Sequence, residues 1–347
     1  MANEALNENP PYGAVEHITT HGSDWLWAAF CIMILSDLVI MVWHFMIPRG
    51  QRVFHQLCIV ILSTASIAYF SMASDLGYTN ILTEFGHGEY PIDVTRQIWY
   101  VRYIDWVITT PALLLTLVLA SGLPLSDIIT LVFFDLVMIV TGLIGALVFS
   151  RYKWGYFSFG CAALFYIWWV LLGPARTSAG ALGAGYKKAF TSSAAILSFL
   201  WLLYPIAWGL CDGGNVISPD SEMIFYGILD VCAKPIFCFI HLFMLSKLDL
   251  SVLQLHSGKF SSAAVADPEK NGRRFNAVDN DFSTTSPAQK SRMFGKKGKY
   301  DAPAAGAGTG TAMGHGTTGV AGTTTREEQL GSPVAEPRAS QATAVSH

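Results

Sequence analysis

Apolar residues along this chain come in long blocks. The blocks fall near residues 25–47, 53–74, 97–120, 125–149, 154–174, 190–210 and 223–246. Each is close to the roughly 20 residues that a helix needs to cross hydrocarbon. The pattern predicts an all-α fold, a seven-transmembrane helix bundle over residues 22–247, preceded by an outer segment over 1–21. The connections are short. The longest on the outer side, Gly77 to Thr95, contains Asn80, Gly86, Gly88 and Pro91 and predicts a hairpin. A short amphipathic continuation is expected through Leu250, Val252 and Leu255. From about 255 the chain turns to Gly, Ala, Ser, Thr and charge, as in GAGTGTAMGHGTTG. Such a composition buries too little apolar surface to offset its ordering entropy, so residues 248–347 are expected to be a mostly disordered, low-complexity cytoplasmic tail.

Composition sharpens this picture. The chain is 52% hydrophobic and 14% charged, against about 25% charged in soluble proteins. The lipid bilayer is therefore the first partner implied. The first 20 residues lack a basic stretch before an apolar core, so no cleavable signal is expected and the first span acts as its own insertion signal. Basic residues set the orientation. Arg49 and Arg52 follow the first span, Arg176, Lys187 and Lys188 follow the fifth, and Lys247 follows the seventh. Glu4, Glu8, Glu16, Glu84 and Glu89 lie on the other side, where Arg151 and Lys153 alone oppose the trend. The expected topology has the N-terminus outside and the C-terminus cytoplasmic, with the plasma membrane as the default location. The six cysteines, Cys31, Cys58, Cys161, Cys211, Cys232 and Cys238, have no zinc-like spacing and read as small apolar residues. No metal site and no nucleic-acid signature is expected, and the net charge of −3 names no partner.

Charge inside the spans carries the chemistry. In the seventh span, LDVCAKPIF places Asp230 one turn before Lys234, with about a dozen mostly apolar residues on either side. A lysine at that depth costs roughly 2.5–3.5 kcal/mol on insertion scales and is too far from a helix end to snorkel. In the third span, WYVRYIDWVITTPALLLTLVL places Arg102, Asp105 and Thr109 on one face, with Thr116 three turns on, about 16 Å along the helix. Arg102, Asp105, Asp230 and Lys234 balance in charge, as a structural network would also require. Two features point further. Trp106, and Trp201, Tyr204 and Trp208 around Pro205 in WLLYPIAW, supply bulky aromatic neighbours, a stripe that ordinary packing would also produce. Lysine is also the residue that condenses with a carbonyl compound.

Taken together, RYIDWVITTP, WLLYPIAW and LDVCAKP, in that order and spacing, resemble the microbial (type 1) rhodopsins, the bacteriorhodopsin-like retinal proteins, and most closely their fungal branch. The resemblance covers the membrane domain and not the tail. It implies all-trans retinal bound as a protonated Schiff base on Lys234, Asp105 as counterion and primary proton acceptor, Asp230 as second counterion and Arg102 as the outer-side switch. Trp106, Trp201, Tyr204 and Trp208 would line the polyene, with Thr109, Thr110 and Pro205 in the same binding set. Met138 and Gly142 in FFDLVMIVTG match ring contacts, and Thr110 and Asp135 match an interhelical hydrogen-bonded pair. Glu222 matches a proton-release carboxylate, and Asp212 matches its partner if one residue is gapped.

One position departs from the pump pattern. Thr116 stands where pumps carry a carboxylic proton donor, and Cys58 stands at the position that supports it. A hydroxyl cannot serve as such a donor near neutral pH, so return of the proton is expected to be slow and pH-dependent. Asp37 is an extra buried carboxylate, expected to be a polar contact to another helix rather than a donor. His44 and His55 are expected at the interface. The leading expectation is light-driven outward proton translocation, a transporter rather than an enzyme. The alternative is a sensory rhodopsin that signals through a cytoplasmic partner of the tail. A homo-oligomer is compatible with either. A light-gated channel is disfavoured by the lack of pore-lining glutamates in the second span, a chloride pump by Asp105, and a retinal-free opsin by Lys234. The third span ends in ASGLPLSD, which does not fit a G-protein-coupled receptor.

Overall fold

The structure is a computed structural model and describes residues 3–48, 51–86, 93–253 and 255. Seven helices are long and apolar enough to cross a membrane: α1 Thr20–Met46, α2 Val53–Ala73, α3 Tyr100–Leu119, α4 Leu125–Leu147, α5 Lys153–Leu182, α6 Ala184–Gly213 and α7 Pro219–Leu245. The protein is a seven-span integral membrane protein. Helices satisfy their own backbone hydrogen bonds, which hydrocarbon demands. Leu35, Val39, Val42, Phe133, Phe165, Trp169, Phe199 and Phe243 are exposed, as lipid-facing positions should be. The charged residues of α3 and α7 are buried instead. The expected tail and Arg49 lie outside the described residues, apart from a short 3₁₀ turn at Leu250–Leu253.

The apolar blocks located the spans but not their ends. The third block opened at 97, yet Thr95–Ile98 is a strand, β2, paired antiparallel with β1, Thr79–Leu82, so that Thr79 faces Ile98. The expected hairpin is thus present. Its tip at 87–92, with Gly88, Glu89 and Pro91, lies outside the described residues. The N-terminal segment joins it, since the Val15 and Glu16 N–H groups donate to the Thr95 carbonyl. Arg176, Lys187 and Lys188 were expected in a loop after the fifth span. They are helical, because α5 and α6 run beyond their apolar blocks and only Gly183 separates them. Gly183 adopts φ 132°, a conformation that favours glycine. Basic side chains end up at this end of the bundle, opposite the N-terminal segment and hairpin.

Helices α1 and α7 approach closely at Gly227. A Cβ there would collide with the indole Nε1 of Trp25, whose N–H donates to the Met223 carbonyl at 3.0 Å. Overpacking of this kind typically costs about 1–3 kcal/mol. Gly227→Ala is therefore expected to lower the thermal unfolding midpoint. An unchanged melt would show that the helices separate freely.

Asp75 follows α2 on the hairpin side. It is buried and accepts a hydrogen bond from Gln97 Nε2 at 2.9 Å. Burial pushes its carboxyl up from the ordinary value, against smaller opposing effects of Gln97 and His17. A raised acid favours the folded state fully at pH below its unfolded value, and that contribution is lost as pH rises through the folded one. Asp75→Asn should thus raise the melting temperature near neutral pH and give no gain in strong acid. Asparagine also tolerates the φ of 56° found here.

Candidate functional site

Lys234 sits at mid-helix in α7, in a wide π-type turn spanning Cys232–Ile236 that contains Pro235. Proline cannot donate to the helix ladder, and a π-turn is one way to absorb that defect. The lysine is buried, and its Nζ pairs with Asp105 of α3 and, at 3.1 Å, with Asp230 of α7. The two carboxylates differ in their other partners. Asp230 accepts hydrogen bonds on both oxygens, from Tyr204 at 2.6 Å and Tyr69 at 2.9 Å. Asp105 has a buried Oδ1 with no partner.

A cavity is lined at one point by Lys234 and Asp230. Trp106, Trp201, Tyr204, Pro205 and Trp208 line it, with Met138 and Gly142 of α4 and Thr110 of α3. All of these were expected. Phe157, Gly160, Cys161 and Leu164 of α5, with Tyr103, Leu113, Ile139 and Ala233, also line it and were not. Nothing polar in the local sequence marks the α5 residues, and only helix packing brings α5 to the site. Thr109 is not among the lining residues. Its hydroxyl donates to the Asp105 carbonyl one turn back, at 2.9 Å, so it belongs to the carboxylate's surroundings. The Thr110 hydroxyl bridges to Asp135 at 2.9 Å, joining α3 to α4 as expected. Asp37 accepts from Ser63 of α2 at 2.6 Å, which makes it an interhelical contact.

Toward the hairpin, Arg102 pairs with Glu222 rather than with the charges beside Lys234. Its Nη1 lies 2.7 Å from Glu222 Oε1, and its guanidinium stacks 4.1 Å from the Tyr226 ring centre. Arg96 on β2 extends the network, reaching Glu222 Oε2 at 2.9 Å and Glu16 Oε2 at 2.7 Å. Burial works against the Arg96 charge, but Glu222 and Glu16 outweigh it and hold the proton more tightly than usual. Arg96, Glu16, Tyr69 and Tyr226 escape the sequence reading because the first two lie outside the apolar blocks and tyrosine in a span looks like packing. Asp212 closes the group. Tyr103 donates to its Oδ2 at 3.1 Å, and its Oδ1 is buried without a partner.

A buried amine flanked by two carboxylates, in the lining of a largely aromatic and aliphatic cavity, suits an apolar carbonyl compound. Comparison with known proteins decides what kind of site this is. Residues 20–248 match the family model described as bacteriorhodopsin-like protein. The chain belongs to this family, the microbial rhodopsins. The rhodopsin is 54% identical over 269 residues to Protein FDD123 of Trametes versicolor, covering 77% of this chain and 93% of that one. It is 48% identical over 240 residues to the opsin-like protein carO of Fusarium fujikuroi, covering 68% and 78% respectively. Among solved structures it resembles the light-driven proton pump of Coccomyxa subellipsoidea, with 36% identity and a TM-score of 0.62, over 67% of this chain and all of that one. The fungal resemblance read from the motifs therefore holds. Members of this family carry retinal as a Schiff base on a lysine and act as light-driven ion pumps rather than enzymes. The rhodopsin's cavity suits such a group, because its lining is largely aromatic and aliphatic and its charged members are Lys234 and Asp230.

Proposed function

We propose that this rhodopsin carries all-trans retinal on Lys234 and, when illuminated, moves protons outward across the plasma membrane. The observation that carries the reading is Lys234 itself, held between Asp105 and Asp230 where the apolar cavity begins. The N-terminal segment and hairpin would face outside and the tail the cytoplasm. The basic residues Arg52, Lys187, Lys188 and Lys247 at the opposite end support this orientation. Residues 1–21 form the outer segment of this reading, 22–247 the retinal-binding domain and 248–347 the cytoplasmic tail.

The bound polyene supplies the light absorption and the displacement that disturbs the pairing around Lys234 Nζ. Asp105 is then the carboxylate that takes the proton from Nζ. Protonating Asp230 would weaken two tyrosine hydrogen bonds, whereas Asp105 has an oxygen with no partner. On the outer side, Glu222 is clamped by Arg96 and Arg102 through an ion pair on each oxygen. Asp212 has only a neutral tyrosine donor. With Glu16 and Glu222 balancing Arg96 and Arg102, an ionised Asp212 would add uncompensated negative charge to this buried cluster. Asp212 is therefore the better candidate to hold the proton released outward, with Glu222 positioning Arg102.

Thr116 favours a second reading. Its hydroxyl is spent on the Leu113 carbonyl at 2.7 Å, and it provides no acid. A slow return of the proton would suit a sensor that reports through its tail. Thr116→Asp separates the two readings. It is expected to speed the return of the proton to Lys234 by about 100-fold, the low end of the 10²–10⁴ that a positioned acid can supply. Flash photolysis measures the rate. Net acidification of the medium that grows in this variant supports the pump, and an unchanged rate would contradict the assignment of Thr116 to the inward path.

A further inference from the structure

We infer that His241 is the inner relay that returns a proton to Lys234. This deepens the proposed function and rests on it. His241 lies seven residues after Lys234 on α7, two turns or about 10 Å further from the outer cluster and on nearly the same face. It is fully buried. Both ring nitrogens are engaged. Nε2 lies 3.0 Å from the backbone carbonyl of Thr116 on α3, and Nδ1 lies 2.8 Å from the Ser193 hydroxyl on α6.

These partners set the protonation pattern. A carbonyl only accepts, so Nε2 carries the hydrogen, and Nδ1 accepts from Ser193 when the ring is neutral. The Thr116 carbonyl is available because α3 ends in a tight turn, where the Ala120 N–H donates to Leu117 instead. Phe237 stacks on the ring, with centroids 5.5 Å apart, and Phe54 meets it edge-on. No carboxylate or cation pairs with it among the described residues. Two hydrogen bonds would also satisfy a structural histidine; what sets this ring apart is its place, bridging α3 and α6 beside Thr116, where the side chain supplies no acid.

The step is a transfer across one imidazole. A proton arrives at Nδ1 from the cytoplasmic side by way of Ser193, and the Nε2 proton leaves toward Lys234 Nζ through intervening water. Only N–H bonds form and break, the ring is neutral before and after, and its tautomer is inverted until Ser193 and the ring reset. Asp37, His55, Cys58 and Cys238 are other buried titratable groups on this side, and Asp135 of α4 is held by Thr110, five residues inward of Asp105. Asp37 is committed to Ser63, and His55 sits against Trp43 with neither nitrogen bonded.

The test combines ¹⁵N NMR on histidine-labelled protein in membranes with flash photolysis. The signal of His241 is identified by its loss in His241→Gln. The expected result in the dark, with or without retinal, is a neutral ring protonated at Nε2. Continuous illumination should convert a fraction to the Nδ1-protonated form. His241→Gln should slow proton return about tenfold, while Asp37→Asn leaves it unchanged. A resonance that does not move in light, a dark ring protonated at Nδ1, or a normal rate in His241→Gln would overturn the assignment. The NMR result decides even if His241→Gln fails to fold, since the remaining histidines can be assigned by their own substitutions. If light never deprotonates Lys234 Nζ in the wild-type pigment, the proposed function fails instead, and the dark tautomer still reports on His241.

Discussion

Replacing Asp105 with asparagine is expected to abolish light-driven proton export while leaving a coloured pigment. Asparagine keeps the size and the hydrogen-bonding reach of aspartate but cannot take up a proton. Lys234 retains Asp230, which Tyr69 and Tyr204 hold in place, so the bound chromophore keeps an anion beside it. Loss of one anion lets positive charge spread further along the polyene, and absorption should move to longer wavelength. Transfer from Lys234 Nζ has no other carboxylate free to accept it, because protonating Asp230 would weaken both tyrosine hydrogen bonds. The initial export rate should fall at least about 100-fold, the low end of what a positioned acid–base group contributes. Asp230→Asn is the informative companion. If its export survives and that of Asp105→Asn does not, the asymmetry between the two carboxylates is functional. Equal losses would mean that the tyrosine hydrogen bonds do not distinguish them.

The largest effect on stability is expected at Arg96. This side chain is fully buried and joins Glu16 of the N-terminal segment to Glu222 of α7. Removing one partner of a buried ion pair leaves uncompensated charge, at a cost of about 3–5 kcal/mol. Arg96→Met should lower the thermal midpoint of pigment bleaching by on the order of 10 °C for a domain of this size. Glu222 keeps Arg102 at 2.7 Å, so most of the damage falls on Glu16. Glu16→Leu combined with Arg96→Met should therefore recover much of the loss, because swapping a whole buried pair for apolar residues is often near neutral. A double variant no better than Arg96→Met would locate the damage at Glu222 instead.

The legible part of the fold is what the bilayer dictates. Seven apolar blocks gave the helices, because hydrocarbon admits few alternatives. The blocks could not give the ends of α5 and α6, where helix continues past the apolar stretch to Gly183. They could not separate β2 from α3 either, because Thr95–Ile98 is stabilised by pairing with Thr79–Leu82, residues distant in sequence. Within the site, Lys234, Asp105 and Asp230 stood out because charge is rare in a span and each needs a reason to be there. Tyr69, Phe157 and Leu164 did not, since their residue types are as common in packing as in a binding wall. Arg96 and Glu16 stand outside the spans, where charge is ordinary, and only the folded chain carries them inward. His241 was overlooked within FCFIHLFML, although its seven-residue spacing from Lys234 was available to the helical periodicity.

In the proposed function, Lys234 holds the chromophore that drives a proton outward. The direct measurement is the light-induced pH change of an unbuffered suspension of cells expressing the full chain with added retinal, with Lys234→Ala and a protonophore as controls. The expected result is acidification in light that disappears in both controls. A stable pigment with a photocycle and no pH change would contradict the pump and leave the sensor, and a pigment that survives Lys234→Ala would contradict the site itself.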